Sequence, residues 1–129
     1  MFANEVSLVL AARAPKKLAQ FYAQVLEVKQ SMGFTEDHWL VLHPNGMKLH
    51  IFNPSHKSPL NKTPGNFGLC IHGKPQLQPL STIEKRILEL VSMGARPIGE
   101  AKLESFGAEI WMMDPEDNHF LLLIPSINS

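Results

Sequence analysis

Six histidines, one cysteine and a scatter of carboxylates are the groups on this chain that could hold a metal ion, move a proton or attack an electrophile. Their spacing assembles no familiar constellation. Gly-x-Ser-x-Gly, a P-loop, a dinucleotide-binding glycine fingerprint and His-Glu-x-x-His are all absent. The lone Cys70 excludes an internal disulfide and any multi-thiolate zinc site within one chain. With no histidine at an obvious pairing distance, Cys70 reads as a small buried packing residue in mid-strand rather than as a nucleophile. His38 and His43 flank the segment around Trp39 and are expected at its ends, in water. His56 and His72 lie in or beside loops and take no catalytic part, and His119 stands beside a turn, where solvation is expected. His50, inside MKLHIF, reads equally as a half-buried strand histidine satisfied by a hydrogen bond and as a polar contact to a bound ligand.

Composition narrows the function classes further. A chain of 129 residues is one ordinary domain with enough length to close a core. Lysine plus arginine and aspartate plus glutamate both number 12, so no net field favours nucleic acid or an anionic membrane. The apolar stretches fall short of a membrane span, and the opening MFANEVSLVL lacks the basic region and small-residue cleavage site of a signal peptide. A soluble cytoplasmic protein is expected, with neither a nucleic-acid nor a membrane partner.

The elements that would position these groups follow from periodicity and breakers. Residues 7–11 (SLVLA) read as an opening strand. Pro15 suits a first helical turn, and Leu18, Phe21, Tyr22, Val25 and Leu26 then recur at three- and four-residue spacing, which predicts a helix of about three turns. Residues 28–32 alternate until Gly33, and 38–43 and 47–52 form a hairpin joined by Pro44-Asn45-Gly46. The stretch 53–65, with three prolines and no apolar period, is a loop between two similar halves. The second half reads as a strand over 66–72 and a helix over 81–93, with a capping box from Ser81 and Glu84. Its buried stripe is Ile83, Ile87, Leu90 and Val91, and Gly94 ends it. A weak strand over 97–103 and a closing hairpin complete the half. That hairpin, GAEIWMMDPEDNHFLLLI, has two apolar runs around the turn formers Asp114-Pro115-Glu116-Asp117-Asn118. Pattern alone gives an α+β fold with mainly antiparallel strands.

The closing hairpin resembles the end signature of the vicinal oxygen chelate superfamily (the glyoxalase, bleomycin-resistance and extradiol dioxygenase group): strand, Asp-Pro-Asp-Gly-Asn, strand. Asp117 stands at its glycine position. Near the other end, Ser7-Leu8-Val9-Leu10-Ala11 leading to Leu18-Ala19-Gln20-Phe21-Tyr22 and Val25-Leu26 is similar to the family's opening strand and the helix that ends in Leu-Gly, with Glu27 in place of that glycine. The resemblance implies two βαβββ modules, over about 4–53 and 65–126. Their curved mixed sheets would surround a cup, with the helices outside, and a second chain would complete the cup, so a homodimer is expected.

In metal-using relatives four positions hold the ion, and here the resemblance maps them to Ser7, His50, Asn66 and Leu121. A serine hydroxyl, an amide and a leucine cannot replace imidazole or carboxylate. The expectation is therefore no metal and no cofactor, with His50 alone retained as a ligand-type residue. Alternation in phase with those positions gives the ligand-facing set: Ser7, Val9, His50, Phe52, Asn66, Cys70, Leu121 and Leu123, joined by Trp111 and Met113 from the neighbouring strand. The catalytic residue set stays unknown. A largely apolar face with a few polar points suits a small, partly apolar or aromatic molecule, and equally suits a closed core or a dimer interface. A metal-dependent lyase, isomerase or dioxygenase is the alternative function.

Overall fold

The computed structural model describes residues 7–54 and 68–127. The chain divides into two compact units, Met1–Pro64 and Gly65–Ser129, each with the same order of elements. The first contains β1 (Leu8–Ala11), α1 (Pro15–Leu26), β2 (Gln30–Met32), β3 (His38–Leu42) and β4 (Lys48–Phe52). The second contains β5 (Leu69–His72), α2 (Pro79–Ser92), β6 (Arg96–Glu104), β7 (Gly107–Met113) and β8 (His119–Pro125). Two βαβββ modules of the α+β class are thus present.

Both modules solve the same connection problem in the same way. The sheets run β1-β4-β3-β2 and β5-β8-β7-β6, with the opening strand parallel to the closing one and every other pair antiparallel. A parallel neighbour cannot be reached by a tight turn, so the chain crosses through the helix to the far edge and returns strand by strand through hairpins.

Each sheet carries its helix on one face. In the first module α1 packs on β2, β3 and β4, burying Leu18, Ala19, Phe21 and Tyr22 against Val41, Leu49 and Ile51. In the second, α2 packs on β6, β7 and β8, and Ile83 and Leu90 meet a face of Ala108, Ile110, Met112, Phe120, Leu122 and Ile124. Val91, expected in the buried stripe, is exposed, and Ile87 is half-buried. The stripe is narrower than an apolar residue count suggests.

Helix ends show one correction and one recurrence. The capping box at Ser81 and Glu84 does not form: α2 begins two residues earlier at Pro79, after Gln78, with no side-chain cap. Proline's fixed φ starts the helix without needing the cap, and α1 starts the same way at Pro15 after Ala14. Both helices close in a Schellman motif. In α2 the N–H groups of Gly94 and Ala95 donate to the carbonyls of Val91 and Leu90, and Gly94 has φ +106°. In α1 those of Glu27 and Val28 donate to Gln24 and Ala23, and Glu27 adopts φ 56°, ψ 44°.

The hairpin turns recur too. His43 N–H donates to Met47 O and Gly46 N–H to His43 O; Asp114 N–H donates to Asn118 O and Asp117 N–H to Asp114 O. Each is a three-residue loop with proline first and a left-handed residue last, Gly46 at φ 99° and Asp117 at φ 67°. Strand boundaries shift slightly from expectation: β5 starts at Leu69 and β6 runs nine residues, with a register shift between Ile98 and Lys102.

Candidate functional site

Because the helix covers one face of each sheet, the other face is left open, and strand register says what stands there. In the first module Val9 pairs with His50, which pairs with Leu40; Ala11 pairs with Phe52, which pairs with His38. Since paired residues point the same way, Val9, Ala11, His38, Leu40, His50 and Phe52 share the open face. Ser7 is exposed just before β1. Trp39 belongs to the helix side: its Nε1–H donates to Glu36 O at 2.8 Å and Lys16 Nζ lies 5.3 Å from the ring centroid.

The open face of the second module is built by the same logic. One row runs Cys70, Leu121, Trp111 and Ile98, and the next runs His72, Leu123, Glu109 and Lys102. Met113 and His119 form a further pair toward the turn. The register therefore places Cys70, Trp111, Met113, Leu121 and Leu123 on one face, and Val9, His50 and Phe52 on another. Asn66, and His56 among the histidines, lie outside the described residues. Trp111 is 45% exposed and its indole leans over Gly68, where a Cβ would stand 3.0 Å from the ring.

Three expectations about individual groups are corrected. Cys70 is exposed rather than buried, because β5 is the edge strand and the residue sits on the uncovered side. Its thiol is nevertheless pushed up from the ordinary value, first by desolvation and then by the Glu109 carboxylate, so the nucleophilic thiolate is disfavoured. His43 is half-buried, and its Nδ1 accepts from Asn45 N–H at 3.2 Å, closing the turn.

His38 is the residue that sequence reasoning missed. It is half-buried rather than solvated, and its Nε2 lies 3.0 Å from His50 Nδ1. The ring planes are within 5° and the centroids 5.2 Å apart. That separation is nearly the nitrogen distance plus two ring radii, so the rings meet edge to edge in one plane rather than overlapping. On the far side Phe34 N–H donates to His38 Nδ1 at 3.1 Å. A signal was available: counting outward from the Pro44–Gly46 turn pairs position 38 with 52 and 40 with 50, which sets His38 diagonally beside His50.

The turn after β7 is organised by a fully buried carboxylate. Asp114 Oδ1 accepts from the N–H groups of Glu116 at 2.8 Å and Asn118 at 3.0 Å, and Oδ2 accepts from Asn118 Nδ2 at 2.9 Å. This carboxylate is structural. Among the described residues, no three histidine, cysteine, aspartate or glutamate side chains converge as a metal site would require. No helix among them is long and apolar enough to cross a membrane.

Comparison with known proteins gives a consistent picture of the fold. A family model described as a glyoxalase-like domain matches residues 7–123. No curated protein matches the chain by sequence. Among solved structures, the chain is similar to a hypothetical protein from S. aureus, at 14% identity, 96% coverage of this chain, 95% of that one, and a TM-score of 0.73. It is also similar to a glyoxalase/bleomycin resistance protein/dioxygenase family enzyme from Burkholderia phytofirmans PsJN, at 13% identity, 90% and 94% coverage, and a TM-score of 0.71. A third is a mutant of the genomically encoded fosfomycin resistance protein from Listeria monocytogenes, complexed with Mn(II) and 1S,2S-dihydroxypropylphosphonic acid. It shares 11% identity over 99% of this chain and 94% of that one, with a TM-score of 0.69. At such identities the likeness is one of fold.

Proposed function

The chain belongs to the glyoxalase-like domain family, within the vicinal oxygen chelate superfamily, and from that premise we propose a metal-free protein that binds a small, partly apolar or aromatic molecule. The ligand lies against the open sheet faces, in a cup completed by a second copy of the chain, in a cytoplasmic protein with no nucleic-acid partner. One observation carries the reading: the uncovered faces hold large apolar side chains, Val9 at 60% exposure and Trp111 at 45%, beside a few polar groups such as His50. The donor set supports the metal-free part. Of the positions that the family resemblance assigns to metal ligands, Leu121 has no donor atom, Ser7 and Asn66 offer only weak ones, and one imidazole holds no ion by itself.

A metal-dependent lyase, isomerase or dioxygenase is the second reading, favoured by the Mn(II) complex of the Listeria relative. Elemental analysis of untagged, dialysed protein separates the two, and a full equivalent of Zn, Fe, Mn or Ni would overturn the first. A thermal-shift screen of planar apolar compounds tests binding, with a concentration-dependent rise in Tm expected. Light scattering at micromolar concentration tests assembly, where a monomer would remove the shared cup.

A further inference from the structure

Two features of the second module that the open face does not use meet at one place. The first is Glu84. Its capping role lapses because α2 starts at Pro79 with no side-chain cap, and among the described residues its carboxylate makes no hydrogen bond or ion pair. The second is the break in β6. Ile98 pairs with Trp111 and Lys102 with Glu109, so Gly99, Glu100 and Ala101 all stand opposite the single residue Ile110. Gly99 takes φ +76°, a backbone that residues with a side chain avoid, and a bulge results.

Between that bulge and α2 lies an open cleft of about 420 Å³. Glu84 and Ile87, three apart on one helix face, form one wall, and Gly99, Glu100 and Ala101 form the other. Ile110, only 3% exposed, lies beneath. Glu100 has no hydrogen-bond or ion-pair partner among the described residues either, and no lysine or arginine lines the cleft. Lys102 stands in register with Glu109 on the open face, and Arg86 is paired with Glu89.

The first module supplies an internal comparison. The matching place between α1 and β2 also holds a cleft, of about 490 Å³, so the hollow itself comes with the βαβββ arrangement. Its polar lining is different: Gln20, Gln24 and Gln30, with Glu27 as the one carboxylate. β2 is three residues long and pairs with β3 without a register shift. Carboxylates on facing walls are thus particular to the bulged module.

We propose that the α2–β6 cleft is a second binding site, on the helix side of the second module and separate from the open face, for an organic ammonium ion on a small apolar body. The carboxylates of Glu84 and Glu100 receive the ammonium group, while Ile87 and Ile110 take the hydrocarbon. The volume lies within the span of about 300–1,000 Å³ usual for small-molecule sites. A bare metal ion fits less well. Among the described residues no third histidine, cysteine, aspartate or glutamate joins the two carboxylates, and the remaining lining is apolar.

The test is a titration of the full chain, followed by ¹H–¹⁵N correlation spectra, with benzylamine, cationic at about pH 7, and with neutral benzyl alcohol. Benzylamine is expected to give saturable shifts at Ile87, Gly99, Glu100 and Ala101, and none at Gln20, Gln24 and Gln30. In the Glu84→Gln/Glu100→Gln double variant its Kd is expected to rise about fivefold or more, with Tm unchanged because both side chains are exposed. Raising salt from about 0.01 M to about 1 M should weaken benzylamine and leave benzyl alcohol indifferent. Ala101→Leu, which fills the cleft without altering its charge, should abolish both.

Equal affinity for the two probes, or a double variant that binds benzylamine as the parent does, would overturn the proposal. Shifts of the same size in the α1–β2 cleft would also overturn it. Shifts confined to Trp111, Leu121 and Leu123 would place benzylamine on the open face, overturning the second site while leaving the open-face reading intact.

Discussion

Replacing Glu27 with glycine should make the protein more stable, although glycine is a poor choice in a helix interior by propensity alone. Glu27 is exposed, and its backbone sits at φ 56°, ψ 44° in the same closing motif where α2 has Gly94. A left-handed backbone costs a side-chain-bearing residue about 1–2 kcal/mol. Glycine removes that strain and adds roughly 0.4–1 kcal/mol of chain entropy to lose on folding. The balance is a gain of about 1 kcal/mol, equivalent to a rise in Tm of about 3–5 °C for a chain of this size. Equilibrium urea unfolding should show a higher midpoint at unchanged slope. Glu27→Ala, which keeps the strain and removes the charge, should stay within about 0.5 kcal/mol of the parent. The mirror change, Gly94→Ala, should cost more than about 1 kcal/mol, since its φ is +106° and the added Cβ would stand 3.3 Å from Pro115 Cγ. If Glu27→Gly is neutral or destabilising while Gly94→Ala is harmless, the shared-motif reasoning is wrong.

Asp114→Ala should destabilise by about 2–4 kcal/mol, because Glu116 N–H, Asn118 N–H and Asn118 Nδ2 all lose their acceptor in a buried turn; chemical denaturation measures it, and a loss below the error would refute that role. For Cys70, the folded-state thiol is raised above its unfolded value by desolvation and by Glu109. Its contribution to stability is therefore complete below the unfolded thiol pKa and is lost as pH rises through the folded one. Glu109→Gln removes the repelling charge, so iodoacetamide alkylation should speed up near neutral pH and its pH profile should move to lower pH. An unchanged profile would mean that the carboxylate does not act on the thiol. Trp111→Ala should weaken binding of an apolar ligand more than Trp39→Ala, because Trp111 stands on the open face and Trp39 on the helix side; calorimetry on both variants decides, and equal losses would contradict the assignment of faces.

How much of this was legible beforehand depended on whether the signal was local. Turn chemistry is local, so Pro44-Asn45-Gly46 and the Asp114–Asn118 stretch located both hairpins, and period-two alternation from them put Trp111, Leu121 and Leu123 in one phase. The family motif also marked residues 27 and 117 as glycine positions, and the backbone there is left-handed even with Glu and Asp in place. Helix starts were less legible. Ser81 and Glu84 carry a capping pattern that Pro79 pre-empts, since whichever residue first adopts helical φ ends the competition.

Tertiary structure decided what periodicity leaves symmetric. Alternation says that a strand has two faces but not which one the helix covers, and that choice buried Leu49 and Ile51 while leaving His50 beside open surface. It also set Cys70 on an edge strand, exposed where a mid-strand cysteine is usually buried. The meeting of His38 with His50 needed the β3–β4 register, the room left by Gly33 and the N–H of Phe34 together. Each is a short-range fact, but a hydrogen bond 3.0 Å long exists only when the fold has satisfied all of them at once.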